Sequence, residues 1–132
     1  MNKFSIVIII MISFFTYSNV SAQSFAQVCE TEARTIGSET VKYRIFIISD
    51  GGGYHTLDVF KYGADEKVDS IPINFRSEGR YDRFYSKDTN EVVMGYEPQS
   101  GSSVATGAFA INIGLNREDF SLTCDFENTV SY

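Results

Sequence analysis

The residues best equipped for chemistry lie between Arg76 and Lys87, where Arg76, Arg80, Arg83 and Lys87 are interleaved with Phe75, Tyr81, Phe84 and Tyr85. Arginine and tyrosine dominate binding hot spots. A guanidinium can grip a carboxylate through two parallel bonds and can lie flat on an aromatic ring. Four cations within twelve residues stand out in a chain of formal charge −6. If the segment is a strand, Tyr81, Arg83, Tyr85 and Lys87 share one face at the two-residue period. Turned outward, they form a strip able to stack on a sugar or hold an acidic group, and we take these four as the candidate binding residues. The competing expectation is structural, with Tyr81 and Tyr85 in the core and the arginines paired to Glu78 and Asp82.

Other candidates carry less. His55 is the single histidine and stands near Asp50 and Asp58 in sequence. A His-dependent triad also needs a nucleophile in an activating setting, and the chain has neither a G-x-S-x-G turn nor a spare cysteine. No catalytic residue is assigned, and a non-enzyme is expected. Carboxylates gather as Asp65, Glu66 and Asp69, as Asp88 and Glu91, and as Glu118 and Asp119, all in polar segments where water keeps acids ordinary. A glycosidase pair would need one acid buried, and the D-x-D-x-D-G calcium loop is missing. Two cysteines and one histidine without short spacing do not make a zinc site. Gly51 to Gly53 has no lysine and no following helix, so it reads as a turn and not as a phosphate loop. Neither cofactor nor metal is expected.

The elements that must carry these residues are strands. Val41 to Ser49 and Tyr54 to Tyr62 alternate apolar and polar residues on either side of Asp50-Gly51-Gly52-Gly53. The glycines tolerate a reversal and Asp50 can bond its own downstream backbone, so the pair predicts a hairpin. Ala26 to Thr31 is read as a strand carrying Cys29, with a helical turn as the alternative. Ile71, Ile73 and Phe75 predict a strand that is short, at an edge, or begins at Pro72, because proline cannot donate a ladder bond. Gly79 to Ser86 and Glu91 to Tyr96 follow as strands. Glu97 to Ser103 is the most loop-like segment. Ala105, Gly107, Phe109, Ile111, Ile113 and Leu115 then line one face of a long strand, with Asn116 to Asp119 as the turn into Phe120, Leu122, Cys124 and Phe126. Ile45, Ile47, Phe109, Ile111, Ile113, Leu122 and Phe126 are the expected core.

Seven or eight strands at spacings of roughly 8 to 12 residues predict an all-β, antiparallel fold. A closed or nearly closed barrel is favoured over a sandwich, since an immunoglobulin-like domain would want a buried Trp and the chain has none. Cys29 and Cys124 form an even pair near the two ends, which predicts a disulfide between first and last strands, as a closed meander allows.

Met1-Asn2-Lys3, the apolar run Phe4 to Phe15 and the small residues Val20-Ser21-Ala22 predict a signal peptide over residues 1–22, cleaved near Ala22. Its apolar run is about a dozen residues against the roughly 20 a bilayer requires, so no integral membrane insertion is expected after cleavage. Residues 23–132 then form a single secreted or periplasmic β-domain of 110 residues. Lys3 is the one charge lost, leaving 10 basic and 17 acidic residues and a formal −7. That balance argues against nucleic acid and permits a basic partner.

A small secreted β-domain with a Cys near each end and Ser100-Gly101-Ser102 before the last hairpin resembles, in layout, the bacterial periplasmic inhibitors of C-type lysozyme. Members carry an aromatic-Trp-Lys-Gly stretch after the Ser-Gly motif, where this chain reads Ala108-Phe109-Ala110-Ile111-Asn112. The resemblance implies an inhibitor of a basic secreted enzyme. The residues themselves point to a non-enzymatic domain binding a protein or small ligand through its surface. A structural or assembly component of the cell envelope or secreted matrix is the alternative.

Overall fold

A computed structural model describes residues 24–64 and 66–132. The predicted signal peptide lies outside the described residues. Ten strands follow in order: β1 (Phe25–Thr31), β2 (Arg34–Ile36), β3 (Glu39–Val41), β4 (Tyr43–Asp50), β5 (Gly53–Lys61), β6 (Lys67–Glu78), β7 (Tyr81–Ser86), β8 (Val92–Glu97), β9 (Val104–Ile113) and β10 (Asn116–Ser131). Eight of them close an antiparallel barrel in the order β1-β10-β9-β8-β7-β6-β5-β4, and β2 with β3 forms a separate small hairpin. The all-β barrel read from the alternation is therefore the fold.

Closure joins the ends of the described chain. Cys29 lies opposite Cys124 in the β1–β10 register and opposite Ile45 in the β1–β4 register, and the two cysteines are bonded. The bond fixes the strand pair that seals the meander, and it is consistent with an oxidising, secreted or periplasmic location. Inward side chains fill the interior: Ile45, Ile47, Leu57, Val59, Phe84 and Phe109 are each fully buried. Tyr43 meets Phe109 and Phe120 edge-on, at ring centroids 6.2 and 5.4 Å apart, geometry that aromatic quadrupoles favour. The β4–β5 turn forms as the sequence predicts, with the Gly52 N–H donating to Asp50 Oδ1 at 2.8 Å and Gly53 at φ 104°.

Several expectations are corrected. Val41 belongs to β3, paired with Arg34, and not to β4. Pro72 sits inside a twelve-residue strand in the barrel wall. It is tolerated because pairing of β6 with β7 starts only at Ile73, so the missing donor falls where that neighbour has ended. The last turn is Gly114-Leu115, with Gly114 at φ 63°, and not Asn116 to Asp119. Those four residues pair with Ile113 to Ala110, and Leu115 protrudes fully into solvent. Ile111, Ile113 and Phe126 pack against the core from its margin and are only partly buried. For the two isoleucines the reason is that β9 outruns β8, whose pairing ends at Met94↔Phe109.

Candidate functional site

β7 positions the predicted strip. Phe84 and Ser86 point into the barrel, so Tyr81, Arg83 and Tyr85 at alternate positions face out. Tyr81 is 37% exposed and neither tyrosine enters the core. Lys87 does not continue the row. It lies exposed in the turn of residues 87–91, with its backbone N–H donating to the Pro72 carbonyl at 2.9 Å.

The strip is laced by cation–aromatic contacts. Arg83 and Arg80 lie 5.4 and 5.6 Å from the Tyr81 ring centre, and Arg76 lies 4.6 Å from that of Tyr85. Glu78 ties the strip together, with its carboxylate accepting from the Tyr85 hydroxyl and facing Arg83 Nη1 at 3.8 Å. The Glu78 bond holds the Tyr85 phenol above its ordinary pKa. The pairing expected of Glu78 is therefore present, while Asp82 pairs with no arginine among the described residues. Arg80 reaches Glu97 at 3.9 Å.

Beside the strip the wall lacks side chains. The register runs Arg76, Arg83, Gly95, Ala108, Ser121 across five adjacent strands, all on one face. Gly95, Ala108 and the neighbouring Ala110 carry at most one methyl, so the surface sinks there into a groove of ≈ 290 Å³. Tyr81 and Arg83 border the groove from β7, and Arg117 and Asp119 border it from β10. An aromatic face and two guanidinium groups, that of Arg117 paired with Asp119 at 3.4 Å, thus surround a floor of bare backbone and methyls. The arrangement can receive a planar or carboxylate-bearing group. The loop Glu97 to Ser103 contributes nothing to this groove. Sequence reasoning missed Arg117, Gly95, Ala108 and Ala110. Gly95 in β8 and the small residues of β9 were the available signal, but only the register shows that they stand beside Arg83.

The remaining chemical residues stay apart. His55 Nε2 is 3.7 Å from Asp50 Oδ2 and its Nδ1 is 2.7 Å from Thr56 Oγ1, in the β4–β5 hairpin. Asp58, whose side chain is 4% exposed, accepts from Ser70 Oγ at 2.6 Å and from the Tyr132 hydroxyl, with Lys67 Nζ at 3.6 Å. It is satisfied on the outer wall under Tyr132 and opens on neither the groove nor the barrel interior. Set against known protein families, curated proteins and solved structures, the chain has no match.

Proposed function

We propose that the protein is a secreted or periplasmic, non-enzymatic binding domain that recognises a partner protein through the outer face of β7–β10. The observation that carries this reading is the groove floored by Gly95, Ala108 and Ala110 and bordered by Tyr81, Arg83 and Arg117. Strand formation alone requires neither the missing side chains nor the two guanidinium groups. The packed interior favours a macromolecular partner over a small ligand held inside the barrel. Among partners, one that presents an acidic side chain fits best at Arg83, whose contact to Glu78 is a long 3.8 Å, whereas Arg117 across the floor is already held by Asp119 and the Val92 carbonyl.

The test compares capture by the oxidised protein with capture by Tyr81→Ala/Arg83→Ala and by Ala108→Leu, which fills the floor. All three side chains are exposed or half-buried, so folding, followed by circular dichroism, should be retained. Loss of the same captured protein by both variants supports the reading. Capture undiminished in two folded variants overturns it.

A further inference from the structure

The barrel wall is notched on one side. β7 and β8 stop at the turn of residues 87–91, whereas β6 begins at Lys67 and β9 continues to Ile113. Pairing of β6 with β7 starts at Ile73↔Ser86, and pairing of β8 with β9 ends at Met94↔Phe109. Val68 to Ile71 and Ala110 to Ile113 therefore have no ladder partner on the sides where β7 and β8 would lie.

The gap holds a cleft of ≈ 460 Å³. Its inner lining is mainly apolar, from Tyr43, Ile71, Ile111 and Ile113, with the buried Ser86 beside them. Its rim carries the exposed carboxylates of Asp69, Asp88 and Glu91, none of which has an ion-pair partner among the described residues. The one cation in the lining, Arg117, is already held by Asp119 at 3.4 Å and by the Val92 carbonyl at 3.4 Å. On the open edge the Ser70 N–H has no strand to bond and donates instead to the carboxylate of Asp69 at 2.9 Å. A rotation of that side chain frees the donor.

We infer that the notch accepts an extended peptide segment, which adds as a strand along Val68 to Ile71 with apolar side chains inward and basic side chains at the rim. Strand addition draws its affinity from main-chain bonds and its selectivity from alternate side chains. The apolar lining suits every second residue, and the unpaired carboxylates of Asp88 and Glu91 at the rim select lysine or arginine at the others. Pro72 and Asp69 are also devices that protect a strand edge from aggregation. Protection alone does not call for an apolar lining behind the edge, and here Tyr43, Ile71, Ile111 and Ile113 supply one. The notch adjoins the proposed groove, since Val92, Val93, Ala110 and Arg117 line both, but Tyr81, Arg83, Gly95 and Ala108 line the groove alone.

The probe is a synthetic heptapeptide of alternating lysine and valine, titrated into the isotope-labelled oxidised protein. Saturable amide shifts at Val68–Ile71 and Ala110–Ile113, with slowed exchange of the Ser70 amide, are expected. Asp88→Lys/Glu91→Lys, exposed substitutions, should weaken binding by about tenfold or more through reversed charge. The same peptide N-methylated at alternate residues should not bind, and Tyr81→Ala/Arg83→Ala should bind as the parent does. The inference is overturned by shifts centred on Tyr81 and Arg83, by equal binding of the N-methylated peptide, or by no saturation at millimolar peptide. Ser70 protection that rises with protein concentration alone would also overturn it, by assigning the notch to a second copy of the chain.

Discussion

A single methyl at Gly107 should cost as much as the loss of a large core side chain. An ideal Cβ built there would lie 1.9 Å from the Gly95 carbonyl oxygen and 2.6 Å from the Tyr96 Cα, both backbone atoms. Ordinary contact begins near 3.4 Å, so β8 or β9 must move by about 1.5 Å to admit it. Movement of that size cannot be confined, because only four pairs, Met94↔Phe109 to Glu97↔Thr106, hold β8 to β9. Overpacking of about 1–3 kcal/mol and the loss of two or more ladder bonds at about 1 kcal/mol each give about 3–5 kcal/mol for Gly107→Ala. For a domain of this size the melting temperature should fall by at least about 12 °C. Gly95→Ala is the control. Its Cβ would meet the Asp82 carbonyl oxygen at 3.3 Å and Arg83 Cγ at 3.5 Å, contacts relieved by a few tenths of an ångström. It should stay within about 1 kcal/mol of the parent, since restricting the unfolded chain offsets the crowding. Urea unfolding of both variants decides the matter, and a loss below about 1 kcal/mol at Gly107 would refute the close approach of the two strands.

Reducing Cys29–Cys124 releases a loop of 95 residues, so the chain-entropy account gives a loss of about 4–5 kcal/mol, and equal unfolding midpoints with and without reductant would refute it. Leu122→Ala should cost about 2–5 kcal/mol, as a cavity in a packed core does, while Ile111→Ala beside the notch should cost clearly less; equal losses in denaturant would refute the inside-to-margin gradient. Tyr132→Phe removes a donor from the buried Asp58 carboxylate and should cost about 1–3 kcal/mol, read by the same melts. Tyr96, chiefly through burial, and Tyr132, through burial and then its bond to Asp58, hold their phenols well above the ordinary pKa of 10.0. The unfolded chain therefore ionises first as pH rises past about 10. Stability should be complete below that pH and fall above it, and Tyr96→Phe should flatten the fall in unfolding curves taken across that range.

Alternation at a period of two was legible because each strand of this barrel has one face against the core and one against water. From it came the class of fold, the hairpin at Asp50 to Gly53, and the burial of Ile45, Ile47, Phe109 and Leu122. The two cysteines near the chain's ends implied the closing seam, since in a meander only the first and last strands remain free to meet. The same parity put Tyr81, Arg83 and Tyr85 on one face, and the structure shows this face to be the outer one. What parity does not carry is stagger. Where β8 begins relative to the end of β9, and where β7 ends relative to the start of β6, depends on turn geometry and on the tilt that closes the barrel. Those offsets left Ile111 and Ile113 at the margin, opened the notch, and let Pro72 sit within the wall. The groove has the same origin. Gly95, Ala108 and Arg117 are far from Arg83 in sequence and stand beside it only because hydrogen-bond register across neighbouring strands brings them into one row and its border. Local chemistry chose strands and faces, while the shared closure of eight strands chose which side chains meet.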